Sequence, residues 1–407
     1  KAWWQNKDFN KTILTPPVNS GPYRITEVSV GRRVVFERNH NYWGKDLPVY
    51  KGLNNFDRMV FDYFRDQTTA FESFKKGDVD VWTDMDPGHW SNAYQFPAKQ
   101  NGSITQESLK HGRVEKMWGF IFNLRRPPFD DIRVREALSL MIDYDWLNRN
   151  NIYNQYTPLS SFFSNSDLKA VDKPNDAEKF LLQPFASTLP ASVFENAWAP
   201  PASGNQQTLR QNQRKADALL NDAGWKIVDG QRINVATRNH FEFEILVSNL
   251  IDEKMALAFK RNLAKLGITV TLRSLDSAAF QDRLTGYDYD MTVYWWLNTL
   301  SPGTEQAIYW GCDAAKQNGR FNYSGICHPA IENLIAKIPN AKSREEMQTM
   351  TRALDRILTW EHIAIPLFYS GRDNVAAWAG FQHPAHTALY GNVMESWFLK
   401  QSPTKQH

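Results

Sequence analysis

The chain has 407 residues, 42% hydrophobic and 22% charged, with a formal net charge of +3. That charge is too small, and its Lys and Arg too scattered, to argue for a nucleic-acid or anionic-membrane partner. No apolar run reaches the length of a membrane span, and the chain is longer than one hydrophobic core usually serves, so two domains are expected.

The opening residues, KAWWQNKDFNK, contain no apolar core or small-residue cleavage site, so no signal peptide is expected in them. Residues 56–64, FDRMVFDYF, read as a strand. Residues 68–77, TTAFESFKKG, read as a helix with Thr69 and Glu72 as a capping box and Gly77 as terminator. Val79 to Trp82 then resume a strand, so this stretch is expected to follow β-α-β logic. Residues 130–149 predict one amphipathic helix, with Val134, Leu138, Met141 and Ile142 inward and Asp131 at its start. Between Thr157 and Gln206 the chain turns irregular and rich in Pro, Ser, Asn and Phe; so long a loop either serves a site or wraps the surface. A helix around Arg214 to Ala223 ends at Gly224.

The clearest pattern follows. Phe243, Ile245 and Val247 alternate as a strand, and Met255, Phe259, Leu263 and Leu266 recur at helical spacing before Gly267. Ile268, Val270 and Leu272 return to period two. Asp276 caps a second helix bearing Phe280 and Leu284, and YDYDMTVYWW (287–296) is a third strand. Such a β-α-β-α-β run predicts a mostly parallel sheet and an α/β class. A further long helix covers residues 343–362.

Aromatic usage is high, with 15 Trp, 15 Tyr and 24 Phe. Most of these must fill cores, but a surplus of Trp and Tyr also suits a cleft that grips sugars, peptides or rings. Trp295 and Trp296 are adjacent on a strand, where successive side chains face opposite ways. One of them must therefore face away from the core that the other fills. The two cysteines, Cys312 and Cys327, stand across a Gly- and Asn-rich loop and are read as one disulfide, which implies an oxidising compartment. Two separate buried thiols are the alternative; a metal pair lacks further ligands apart from His328.

No catalytic constellation emerges. Asp84 and Asp86 form a DxD, but a Pro-Gly turn follows, and a solvated or cleft-edge pair is expected. His383 and His386 flank a proline, which argues against a zinc helix. FNYSGICH lacks the nucleophile-elbow pattern, and neither a phosphate loop nor a dinucleotide fingerprint occurs. Paired carboxylates of a glycoside hydrolase remain an alternative, but binding without turnover and without cofactor or metal is the expectation.

Several segments resemble one family. PPVNSGPYRITEVSVGRRVVFERNHNYWG (Pro16 to Gly44) carries a Gly-Pro-Tyr and a hairpin ending in Arg-Asn-x-x-Tyr-Trp. AFESFKKGDVDVW, FIFNLRRPPFDDIRVREALSLMIDYDWL, NYSGICHPAIENLI and EHIAIPLFY follow in order. Together they resemble extracellular solute-binding proteins of the oligopeptide/dipeptide type, the receptors of ABC importers, and most closely the YejA-type branch linked to peptide and microcin C uptake. The resemblance runs from about Pro16 to Lys400. Relatives carry a longer portion before the hairpin, so the chain reads as N-terminally truncated.

This resemblance implies a two-lobe periplasmic binding protein fold (type II, cluster C-like), with mixed sheets flanked by helices. Lobe I is expected at residues 1–122, lobe II at 123–367 and a return to lobe I at 368–407, with hinges near Asn123 and Phe368. It implies a soluble periplasmic monomer that binds a peptide-like ligand between the lobes, releases it unchanged and delivers it to membrane permease subunits. A receptor of the same fold for an opine, oligosaccharide or metal chelate is the alternative. The expected ligand-binding residues are Tyr294, Trp295, Trp296, Asn298, Tyr309 and Trp310, with Arg125, Arg126 and Arg320 as carboxylate-holding forks or solvated charges. Asn298 takes the place where relatives put an aspartate against the peptide ammonium; an amide cannot neutralise that charge, so amine anchoring there is doubtful.

Overall fold

The computed structural model describes residues 15–400, together with 3, 5, 7 and 8. Most of the opening stretch read for a leader therefore lies outside the described residues. The chain divides into two compact units, 1–111 with 372–407, and 112–371.

In the first unit, β1 (Tyr23–Ser29), β2 (Arg33–Arg38) and β3 (Arg58–Asp62) form an antiparallel sheet. Helix α1 (Gln67–Lys76) packs Phe71 and Phe74 into an aromatic cluster with Tyr94 and Phe96. Its cap is Asp66, whose carboxylate accepts the Thr69 N–H at 2.8 Å, rather than the expected Thr69–Glu72 box. Glu72 instead pairs with Lys75. Gly77 closes the helix at φ +86°, the left-handed conformation that favours glycine. The strands flanking α1 do not share a sheet: β4 (Val81–Thr83) joins β5 (Ile104–Lys110) through the returning strand Arg372–Trp378, all antiparallel. The expected β-α-β unit is thus absent: β3 ends one sheet as its edge strand, and β4 pairs in another.

The second unit is built on a five-stranded sheet. It contains β6 (Met117–Phe122), β7 (Glu242–Val247), β8 (Thr269–Ser274), β9 (Met291–Trp296) and β10 (Ala364–Pro366), in the order β8-β7-β9-β6-β10. The pairs β7/β8 and β7/β9 are parallel, whereas β6 runs antiparallel to both its neighbours. The parallel core of the predicted β-α-β-α-β run is therefore present. A side chain at Gly119 would sit 2.5 Å from the Ile365 carbonyl, which is why mid-sheet β6 carries a glycine there.

Residues 130–149 form two helices rather than one, α2 (Ile132–Ser139) and α3 (Tyr144–Asn151). Asp131 caps the first as expected, and Asp143 interrupts the pattern by capping the second through the Trp146 N–H. The irregular stretch 157–206 includes α4 (Asp176–Leu182) and delivers Leu159, Phe162, Phe163 and Leu168 to the core. Buried Glu178 on α4 binds Arg356 at 2.7 Å, so this segment wraps the unit and is pinned to it. The remaining helices used below are α5 (Gln206–Asp222), α6 (Leu250–Ala264), α7 (Ser277–Thr285) and α8 (Arg344–Trp360).

The two faces of the sheet bury separate apolar clusters. Met291 and Val293 belong to one cluster with Met255 and Phe259 of α6, while Trp296 belongs to the other with Leu354 and Ile357 of α8. Because β6 lies second from the edge of this sheet, the unit boundary falls before it, at 111/112, and returns at 371/372. That differs from the expected 122/123 and 367/368. Asn123 lies inside the second unit, 1% exposed, with its amide on the carbonyls of Tyr287 and Tyr289, and Phe368 is 2% exposed. Neither stands at a division between units.

Candidate functional site

Strand polarity decides where a site can form. In open α/β sheets, ligands gather at the carboxyl ends of the parallel strands. Here that edge holds the ends of β7 and β9 and, because β6 is antiparallel, the start of β6. The register sets Trp295 opposite Trp118 and Trp296 opposite Met117.

Alternation along β9 separates the two tryptophans as expected. Trp296 is 2% exposed, with its Nε1–H on the Phe321 carbonyl at 2.7 Å and its ring against Phe162, Trp310 and Tyr323. It is core. Trp295 continues the face of Met291 and Val293, yet is 38% exposed. Its indole lies nearly parallel to the half-buried Tyr294 ring, centroids 5.3 Å apart. Tyr294 meets Tyr323 edge-on, and Tyr323 leads through the exposed Phe321 to Tyr309. The outcome is a chain of ring contacts, exposed at Trp295 and Phe321 and joined through the buried Tyr323.

Two residues beside it carry charge. Lys116, just before β6, is exposed, and its ammonium lies 5.7 Å from the centroid of the Trp295 ring. Surrounding protein desolvates the ammonium and lowers its pKa below the usual lysine range. Asp252, in the first turn of α6, is 6% exposed and accepts the Trp118 Nε1–H at 2.8 Å. Asn249 and Asp252 cap each other: the Asp252 N–H reaches Asn249 Oδ1, and the Asn249 amide donates to Asp252 Oδ2. Burial pushes this carboxyl up to about 6, against the opposing pull of Trp118, Asn249 and Lys116.

The other expected site residues are placed differently. Trp310 is fully buried and donates to Gln306, which in turn donates to Asn298 Oδ1. Asn298 is 4% exposed and donates to the Phe162 carbonyl, so its amide is engaged on both sides by the fold. Arg125 spends its guanidinium on the carbonyls of Ala315, Asn322 and Tyr323 and stacks 3.9 Å from the Tyr287 ring. Arg126 pairs with Asp288 and Asp290. Both follow β6, so antiparallel pairing puts them at the start of β9, about 20 Å from Trp295 at roughly 3.3 Å per residue. Arg125 braces the 315–323 loop through backbone carbonyls, and Arg126 is engaged by the two aspartates. Arg320 is exposed and bonds Gln317, while its carbonyl accepts the Tyr287 hydroxyl.

Lys116, Trp118 and Asp252 went unnoticed in the sequence. The Asn249-x-x-Asp252 spacing was a visible capping signal, but only the β6/β9 register brings it beside Trp295. Cys312 and Cys327 are joined in a disulfide. Asp84 is buried rather than solvated, accepting the Tyr94 hydroxyl at 2.9 Å, and Asp86 caps the helix Pro87–Asn92. Among the described residues, no group of three His, Cys, Asp or Glu side chains is arranged to hold a metal, and no helix is long and apolar enough to cross a membrane.

Residues 2–318 match the model of bacterial extracellular solute-binding proteins, family 5 (middle region). The chain belongs to that family. Family 5 relatives include a putative binding protein of Brucella melitensis, 40% identical over 395 residues, which is 97% of this chain and 64% of the relative. The peptidoglycan-binding protein YepA of Agrobacterium fabrum is 36% identical over 96% of this chain and 65% of its own length. The probable peptide-binding protein YejA of the same organism is 34% identical, also over 96% of this chain and 65% of its own length. The chain thus spans just under two thirds of the length of these relatives. Among solved structures, the oligopeptide-binding protein AppA of Bacillus subtilis, in complex with a nonapeptide, superposes with a TM-score of 0.69 at 17% identity, covering 94% of this chain and 66% of AppA. The fold is therefore the two-lobe α/β fold of family 5 binding proteins, and both family and fold are those of binding proteins rather than enzymes.

Proposed function

We propose that this protein is the substrate-binding component of an ABC importer and that its ligands are peptide-like. The observation that carries this reading is Trp295: a large indole left open at the carboxyl edge of the parallel strands of a mixed sheet, in a chain of the solute-binding family. Trp295 and Phe321 are the exposed ends of a ring series that is anchored in the core through the buried Tyr323. Such exposed rings suit ligands with varied side chains, because ring contacts accept many partners. The names of two relatives, the probable peptide-binding protein YejA and the peptidoglycan-binding protein YepA, support a peptide-like ligand. The disulfide fits a periplasmic location, where thiols are kept oxidised.

The ligand is released unchanged to membrane permease subunits. Calorimetric titration with mixed-sequence peptides of four to ten residues, followed by chromatographic recovery, tests this. Saturable binding with every peptide recovered intact is the expected result. Cleaved peptides, or no binding to any of them, would refute the reading.

A further inference from the structure

Lys116 stands at the edge where Trp295 is open. Among the described residues its ammonium has neither a hydrogen-bond acceptor nor an ion-pair partner, only the Trp295 ring at 5.7 Å. The carboxylates whose charge it feels are Glu115 and Asp252, and both are already committed. Glu115 is 8% exposed and accepts the Gly371 N–H at 2.9 Å; Asp252 is held by Trp118 and Asn249. Arg113 adds further positive charge nearby. With both carboxylates engaged elsewhere, the ammonium is left open to an anion that arrives from outside the fold. Beside it, the Trp295 indole offers a flat apolar surface.

We propose that Lys116 and Trp295 form a ligand subsite for a free carboxylate, with the ammonium taking the charge and the indole covering the apolar atoms next to it. The proposal rests on the peptide-binding reading and specifies its substrate class: peptides that present a free carboxylate, not fully amidated ones without an acidic side chain. An ammonium is a compact donor that suits a single carboxylate oxygen without demanding a fixed plane. The carboxylate has two sources in a peptide, the chain terminus or an acidic side chain, and both present the same chemistry.

Matched peptides separate these sources. Calorimetry on the full chain compares Ala-Phe-Ala-Ala as free acid and as C-terminal amide, and Ala-Glu-Ala-Ala amide with Ala-Gln-Ala-Ala amide. The wild-type protein is expected to lose at least tenfold in affinity when one of these carboxylates is neutralised. Lys116→Met should erase that difference and Lys116→Arg retain it, with thermal unfolding confirming that both variants fold. Equal wild-type affinity for charged and neutral partners in both pairs, or an undiminished preference in Lys116→Met, overturns the subsite and leaves the peptide reading standing. If the wild-type protein binds no peptide of the set, the peptide reading itself fails and the subsite falls with it.

Discussion

Trp295 and Trp296 are neighbours in sequence with opposite fates, and substitution should separate them. Trp296→Ala removes a ring packed against Phe162, Trp310 and Tyr323, and should cost about 3–5 kcal/mol in urea unfolding. Trp295→Ala removes a ring that is 38% exposed and should cost about 1 kcal/mol or less, while weakening ligand binding roughly tenfold. Equal stability losses would contradict the assignment of core and site. Asp252 provides a second test at this scale. An unfolded aspartate titrates near pH 3.9, roughly, whereas desolvation raises Asp252 to about 6 in the fold. The folded state therefore holds this proton more tightly. Its contribution to stability is complete below about pH 4 and lost as the pH rises through 6. Urea unfolding of wild type and Asp252→Asn between about pH 7 and pH 4 should show the gap moving toward wild type on acidification, by up to about 3 kcal/mol. A gap that is constant, or that moves the other way, would mean the carboxyl is not desolvated in the fold.

Among the elements, the disulfide makes a local prediction. It closes a loop 15 residues apart in sequence, for which the chain-entropy model gives about 3 kcal/mol. Reduction, or replacement of both cysteines by alanine, should lower stability by about that amount, measured as the unfolding free energy extrapolated from urea titration. The elements also explain what was legible. The β7-α6-β8-α7-β9 run was readable because local period and glycine position suffice to define it; Gly267 and Asp276 do at its turns what their types suggest. The pairing of β6 was not, because antiparallel insertion into a parallel sheet is a non-local choice. That pairing sets Arg125 and Arg126 at the start of β9 and Lys116 beside its end, which local pattern does not reveal. The capping of α1 by Asp66 and the break before Asp143 were missed for a nearer reason: short polar side chains compete for backbone N–H groups, and periodicity does not register them.

At the scale of the whole molecule, two compact units and the family 5 fold were foreseen, though the unit boundaries were not. Order of motifs along a chain identifies a family well; it does not say which strand lies mid-sheet. Asn298 shows how far resemblance reaches. It occupies the expected place after the tryptophans, but Gln306 and the Phe162 carbonyl engage its amide, so the position braces the core. The account therefore rests on the open aromatic edge of the second unit and not on an ammonium anchor at that position. Native mass spectrometry of the protein mixed with a peptide pool, comparing wild type with Trp295→Ala, tests this most directly. The account predicts peptide adducts on wild type, released at unchanged mass and depleted in the variant. Adducts of equal intensity on both proteins would contradict it.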